Sequence, residues 1–169
     1  MSEVAASYER QPAPASQLPR RILVVDDVPL FREVEALYLA RLGDVRSASS
    51  AAEARELLAR ESFDVAVVDL TMPRLSGLEA VRRIHQELPQ VRVLALTVHE
   101  EEEYVLPVVR AGASGYLVKD SAVAELLAAV RALRAGQGYF GPQAARVLAE
   151  QCRQPMPIRI AGRPSLCRC

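Results

Sequence analysis

The feature that most constrains this chain is an alternation, five times over, of a short apolar run and a stretch with helical periodicity. The apolar runs are 22–25, 45–48, 65–68, 91–96 and 114–118. The helical stretches, in which apolar residues recur every three or four positions, are about 28–41, 51–60, 77–87, 100–111 and 121–135. Strands that alternate with helices predict an α/β domain built around a parallel sheet.

The first, third and fourth runs are apolar at consecutive positions, which is typical of parallel strands that are buried on both faces. Five strands and their helices predict a five-stranded parallel sheet in the order 2-1-3-4-5, with helices on both faces. This arrangement is the flavodoxin-like fold. A further short helix is expected near the C-terminus, over residues 142–151.

Polar side chains stand at the carboxyl ends of four of the predicted strands. Asp26 and Asp27 follow the first strand, and Asp69 follows the third. Thr97 follows the fourth strand and Lys119 follows the fifth. Because ligands of open α/β sheets bind at the carboxyl ends of the strands, these five side chains define a candidate site.

The chemistry of these side chains points to phosphate. Three neighbouring carboxylates repel one another and favour a bound cation, and hard oxygen ligands suit Mg²⁺. An ammonium and a hydroxyl beside them would contact a tetrahedral anion, so the pattern predicts a site that forms, holds and breaks an aspartyl phosphate. Lys119 is the single lysine in a chain with twenty arginines, which indicates a position that arginine fills poorly.

Each of these residues also has a purely structural interpretation. Asp27 precedes Val28 and Pro29, so it could be the N-cap of the first helix. Asp69 could be an ordinary turn residue, and Lys119 could be a solvated strand end. The compatible chemistry of four separate strand ends favours the functional interpretation.

Four segments carry a resemblance to a known family. They are residues 22–27 (ILVVDD), 64–73 (DVAVVDLTMP), 76–80 (SGLEA) and 111–120 (AGASGYLVKD). In this order they resemble the receiver domains of bacterial two-component response regulators, over about residues 20–135. The last segment, with aspartate rather than proline after the lysine, is similar to the NarL/FixJ (LuxR-type) subfamily.

The resemblance implies a role for each candidate residue. Asp69 is the implied phosphoacceptor. The implied Mg²⁺ ligands are the carboxylates of Asp26, Asp27 and Asp69 and the backbone carbonyl of Thr71. The implied phosphoryl contacts and switch residues are Thr97, Lys119 and Tyr116. His99, two residues after Thr97, is a further candidate for a minor role at the site.

By the same resemblance, the chain is expected to receive a phosphoryl group from a sensor histidine kinase, with Mg²⁺ as cofactor. Phosphorylation would change the face formed by the fourth helix, the fifth strand and the fifth helix, where an unknown downstream protein or a second copy of the chain would bind. Such a module assists its own phosphorylation and dephosphorylation and is not otherwise an enzyme. Its expected location is the cytoplasm, with no membrane contact, since no apolar run could cross a membrane and the N-terminus has no apolar signal core.

Two other functions stay open on the sequence. The first is a Mg²⁺-dependent phosphohydrolase with an aspartyl nucleophile, although such enzymes usually carry a second acid two residues after the nucleophile, where Thr71 stands. The second is an interaction domain that is independent of phosphorylation. Pro107 favours it, because a proline inside the fourth helix removes the bond to the Glu103 carbonyl and makes the helix either start late, near Leu106, or kink.

Composition divides the chain into four expected parts: a flexible tail (1–19), the receiver (20–135), a linker with a short helix (136–151) and an irregular basic tail (152–169). Residues 1–150 carry 17 basic and 21 acidic side chains, a charge of −4, whereas 151–169 carry four arginines and no acid. Cys152, Cys167 and Cys169 are the only cysteines, so a disulfide-based fold is excluded for the preceding residues.

The residues after 151 are too few for the helix-turn-helix domain of the subfamily's transcription regulators, so no DNA binding is expected of this chain. It is either a receiver that acts only through protein partners or a shortened transcription regulator. The abrupt arrival of cysteine and loss of acids favour the second explanation. A G-x-G-x-x-G match at 136–141 follows a helix rather than a strand, so it is interpreted as a helix end and restart.

Overall fold

The structure, a computed structural model, describes residues 20–73, 77–98 and 102–153. The strands in these ranges are β1 (Arg21–Val25), β2 (Asp44–Ala48), β3 (Val65–Asp69), β4 (Arg92–Thr97), β5 (Gly115–Val118) and β6 (Tyr139–Phe140). The α-helices are α1 (Pro29–Leu39), α2 (Ala51–Arg60), α3 (Gly77–Glu87), α4 (Val105–Arg110), α5 (Val123–Arg134) and α6 (Pro142–Arg153). A 3-10 turn at Glu102–Tyr104 precedes α4. None of the helices in this part of the chain combines the length and the apolar character needed to cross a membrane.

The strands form one parallel sheet in the order β2-β1-β3-β4-β5-β6. The predicted order 2-1-3-4-5 is confirmed, but the expected count of five strands is one too small. The sixth strand lies in the segment interpreted as a helix end and restart, and it pairs Phe140 with Tyr116 of β5. Two residues are too short a run to show strand periodicity. Gly136 ends α5 with φ +80°, as the glycine predicts.

Both faces of the sheet are covered by helices, which explains the unbroken apolar runs in the sequence. The cluster on the α1 and α5 side contains Ile22, Val24, Leu39 and Leu133. The cluster on the other side, beneath α2, α3, α4 and α6, contains Leu23, Val25, Val81 and Val108. Each fully buried valine or leucine contributes about 1.5–3 kcal/mol to the stability of the fold. The packed sheet in turn holds the ends of its strands in fixed positions.

Pro107 lies in the first turn of a shortened fourth helix. The 3-10 turn at Glu102–Tyr104 comes first, and α4 then starts at Val105, close to the late start that the proline predicts. Amide groups in the first turn of a helix have no partner within that helix, so proline removes no internal hydrogen bond there. The proline therefore delays the helix and leaves its interior intact.

The predicted C-terminal helix is observed as α6, which runs two residues past the expected linker boundary to Arg153. It packs on the domain, because Ala144 and Val147 are buried in the same apolar cluster as Val108 of α4. Arg146 also forms an ion pair with Glu102 in the turn before α4. The helix is thus part of the fold, and it lies against β6, α4 and the turn before α4.

Candidate functional site

The register of the sheet brings the carboxyl ends of β1, β3, β4 and β5 to one edge. Backbone hydrogen bonds connect neighbouring strand ends: Leu70 N donates to the Leu96 carbonyl at 2.8 Å, and Lys119 N donates to the Thr97 carbonyl at 2.7 Å. Gly77, the first residue of α3, lies against the backbone of Asp69, where an added methyl group would collide with the Asp69 carbonyl. The backbone that presents the candidate residues is therefore closely packed.

Three carboxylates meet at this edge. Asp26, Asp27 and Asp69 each offer an oxygen, and these atoms all lie within 4.8 Å of one another. The side chains of Asp26 and Asp69 are buried, whereas Asp27 is half-buried and open to solvent on one side. A set of hard oxygen ligands with one open side has the chemistry of a site for a small divalent cation.

Lys119 reaches into the carboxylate cluster. Its Nζ lies 2.5 Å from Asp26 Oδ2 and 3.1 Å from Asp69 Oδ2, and only 5% of the side-chain surface is exposed. Burial opposes the charged form, but the hydrogen bond to Asp26 and the negative charges of Asp69 and Asp26 together raise the pKa of Lys119 above its usual value. The interpretation of Lys119 as a solvated strand end is wrong.

The aspartates differ in their hydrogen bonds. Asp27 is not the N-cap of α1: Val28 occupies that position without a side-chain cap, and its own N–H donates to Asp26 Oδ1 at 2.8 Å. Asp69 is indeed a turn residue, since its Oδ1 accepts from Thr71 N at 2.9 Å and from Thr71 Oγ1 at 2.7 Å. Its Oδ2 faces Lys119, so one carboxylate orders the turn and also faces the pocket.

Of the remaining predicted residues, Thr97 lies at the same edge, Tyr116 lies inside the sheet, and His99 is not among the described residues. Thr97 is buried at the end of β4. Tyr116 is buried in β5, between Ala95 and Phe140 of the neighbouring strands. His99 is outside the described part of the chain.

Two residues of α1 belong to the surroundings of the site and were missed in the sequence. Phe31 places its ring centroid 4.6 Å from Lys119 Nζ, and Glu35 is a buried carboxyl group one turn further along the helix. The signal was present: Phe31, Glu35 and Leu39 lie four residues apart, and Leu39 is fully buried. A carboxyl group on the face of a helix that packs against the core is expected to be buried, which is rare for glutamate.

The pKa of Glu35 is raised from 4.5 to about 7. Burial is the main cause, and the negative charge of Asp26 adds to it. The ammonium of Lys119 partly offsets these effects, and the charge of Asp69 reinforces them. The acidic character of the pocket therefore extends behind the three carboxylates into α1.

Comparison with known proteins identifies the class of domain that this fold and pocket form. Residues 22–131 match the response regulator receiver domain family. The chain therefore belongs to the response regulator receiver domain family, as the resemblance in its motifs predicts. Since 110 of its 169 residues take part in this match, the family accounts for most of the chain.

Curated relatives carry the same domain. The response regulator GacA of Pseudomonas viridiflava is 39% identical over 138 residues, which are 80% of this chain and 64% of that protein. The transcriptional regulatory protein DegU of Brevibacillus brevis is 35% identical over 137 residues, covering 79% of this chain and 58% of that one. The chain thus spans about three fifths of the length of these relatives.

Solved structures agree with the fold. A two-component response regulator of the LuxR family from Aurantimonas sp. SI85-9A1 superimposes with a TM-score of 0.73 at 36% identity, covering 81% of this chain and all of that one. The BeF3-activated receiver domain of DrrB superimposes with a TM-score of 0.63 at 32% identity, covering 69% of this chain and 97% of that one.

Glu35→Gln is expected to stabilise the domain in a pH-dependent manner. The folded protein keeps the Glu35 proton up to about pH 7, whereas the unfolded chain loses it near pH 4.5, so the glutamate costs stability as the pH rises through this window. The advantage of the variant should grow between these values to at most about 3 kcal/mol. Urea unfolding of both proteins in EDTA, at about pH 5 and about pH 8, measures it. A difference that is equal at both pH values would contradict the shifted pKa.

Proposed function

We propose that this receiver domain is a phosphorylation switch of a two-component system, in which Asp69 accepts a phosphoryl group from a phosphorylated histidine of a sensor kinase. The observation that carries the proposal is the Lys119 ammonium held between Asp26 and Asp69 in the buried acidic pocket. We further propose the cytoplasm as its location and the NarL/FixJ (LuxR-type) subfamily as its origin. The motif at 115–120 and the likeness to a LuxR-family response regulator support that origin.

Asp69 Oδ2 is the proposed nucleophile. Thr71 holds Oδ1 through two hydrogen bonds, which fixes the plane of the carboxylate and leaves Oδ2 facing Lys119, buried and without a hydrogen bond of its own. Oδ2 forms the new bond to phosphorus as the bond to the histidine nitrogen breaks, and the imidazole leaves. Attack of water on the same phosphorus later returns phosphate and the free carboxylate.

The residues present fit a divalent cation. The carboxylates of Asp26, Asp27 and Asp69 and the backbone carbonyl of Thr71 would hold Mg²⁺, whose chemistry is to neutralise the negative charge of the phosphoryl oxygens. Lys119, freed from Asp26, would contact one phosphoryl oxygen, and the Thr97 hydroxyl would contact another. The protein thereby replaces an internal ion pair with contacts to the bound group.

The proposed output is a change in the face that Tyr116 shares with α4 and α6. Tyr116, Val105 and Val108 lie in one apolar cluster with Ala144 and Val147 of α6. A cavity of about 540 Å³ opens between Tyr116, the loop before α5 and the first turn of α6. A shift of Thr97 toward the phosphoryl group would let Tyr116 move, and α6 would lose part of its packing. We propose that a protein partner, rather than DNA, then binds this face.

Incubation of the chain with acetyl phosphate and Mg²⁺ should add one phosphoryl group, an increase of about 80 Da. The reason is that the pocket positions the Asp69 nucleophile beside a cation site. Intact-mass spectrometry measures the adduct, which Asp69→Ala should abolish. Asp120→Ala is the matched control, because it removes an exposed carboxylate next to Lys119 but outside the cluster.

A parallel incubation with a phosphate ester and Mg²⁺ separates the alternatives. Rapid turnover of a phosphate ester without any accumulating adduct would indicate the phosphohydrolase instead. The complete absence of an adduct and of turnover would leave an interaction domain that is independent of phosphorylation. An adduct that persists in Asp69→Ala would show that another residue is the acceptor.

Phosphorylation should speed amide hydrogen exchange in α6. The helix is held by Ala144, Val147 and the ion pair of Arg146 with Glu102, and movement of Tyr116 weakens the first two contacts. Hydrogen exchange with mass spectrometry on peptides from 142–153 measures the change, with peptides from α2 as the internal reference. Equal exchange of α6 before and after complete adduct formation would refute this output.

Lys119→Arg is expected to slow adduct formation at least about tenfold and to lower the free energy of unfolding by about 1–3 kcal/mol, because a larger group is forced into a buried position. The ammonium fits between two carboxylate oxygens with little exposed surface. A planar guanidinium is too broad for the same position and would displace the cation site or the pocket wall. The rate is followed by intact mass and the stability by urea unfolding. A wild-type rate in this variant would contradict the proposed contact.

A further inference from the structure

The aromatic ring of Phe31 closes one side of the pocket over Lys119. The ring centroid lies 4.6 Å from Nζ, within the distance at which an ammonium is attracted to an aromatic face. The other partners of this nitrogen are Asp26 and Asp69, at 2.5 Å and 3.1 Å. Three groups therefore hold the ammonium, and only one of them is uncharged.

The fold gives no packing reason for the ring. Phe31 is 41% exposed and belongs to neither of the two apolar clusters that cover the sheet. It is nevertheless on the same side of α1 as the buried residues Glu35 and Leu39. An exposed aromatic group that touches a buried ammonium contributes to the pocket rather than to the core.

The Phe31 ring, unlike the carboxylates of Asp26 and Asp69, is not changed by the proposed reaction. In the proposed function, Asp69 would become an acyl phosphate and Asp26 would help to hold a bound cation, so Lys119 would lose both of its ion pairs. The contact with the Phe31 ring is the one that phosphoryl transfer does not consume. A ring at the mouth of the pocket can therefore keep the ammonium in place during the exchange of partners.

We infer that Phe31 is a positioning residue for phosphoryl transfer, acting through Lys119. This inference rests on the proposed phosphorylation of Asp69. With acetyl phosphate as donor, Asp69 Oδ2 forms a bond to phosphorus, the bond from phosphorus to the acetyl oxygen breaks, and acetate leaves with the electron pair. Phe31 orients the charge of Lys119 toward the phosphoryl oxygens.

Lysine labelling offers a direct test, because Lys119 is the only lysine in the chain. Growth with ¹³C,¹⁵N-lysine yields one set of side-chain signals in the full-length, metal-free protein. Protons above an aromatic face resonate upfield, so the Lys119 Hε signals should be shifted upfield in the wild type and in Phe31→Tyr. They should return toward the random-coil position in Phe31→Leu, which keeps the apolar bulk and loses the ring.

The rate of adduct formation with acetyl phosphate and Mg²⁺ gives the functional measurement. Phe31→Leu should react about two- to fivefold more slowly, the change that a cation–π contact at a partly exposed site corresponds to. Phe31→Tyr should restore the rate. Leu30→Ala is the matched control, since Leu30 is 67% exposed on the same helix and should alter neither the signals nor the rate.

The outcomes separate a failure of the proposed phosphorylation of Asp69 from a failure of the proposed role of Phe31. A wild type that forms no adduct refutes the phosphorylation of Asp69 and the inference with it. A wild type that forms the adduct, together with Phe31→Leu at the same or a higher rate, refutes only the role of Phe31. A slow Phe31→Leu variant whose Hε signals match those of the wild type also refutes it, since the ring would then act without touching Lys119.

Discussion

The ion pairs of Lys119 with Asp26 and Asp69 are the interaction on which the pocket depends. Two buried carboxylates at adjacent strand ends would be costly without a counter-charge, and removal of one partner of a buried pair typically costs about 3–5 kcal/mol. The ammonium comes from the end of β5, two strands away from β3. The pairs therefore connect the end of β5 to the ends of β1 and β3, and they hold the loops that follow these three strands at one edge of the sheet.

Much of the fold was readable in the sequence because burial on both sheet faces leaves unbroken apolar runs, such as 22–25 and 65–68. The convergence of Asp26, Asp69 and Lys119 followed from topology, since parallel strands end at one edge. The proposed roles of these residues came from family resemblance and stay predictions.

Other features depend on contacts that no local pattern encodes. Strand β6 has two residues, and its extended conformation is stabilised by pairing with β5. The environments of Phe31 and Glu35 depend on how close α1 lies to Lys119 and Asp26, which the periodicity of a helix alone does not reveal. The effect of Pro107 depends on where α4 starts. Pro107 lies in the first turn of α4, where a proline removes no hydrogen bond within the helix.

The pocket also has a charge balance that limits what can enter it. Three carboxylates and one ammonium leave two uncompensated negative charges when the acids are ionised. An anionic phosphodonor is repelled by this excess, whereas a divalent cation cancels it. On the proposed function, access of an anionic phosphodonor would therefore depend on a divalent cation in the pocket.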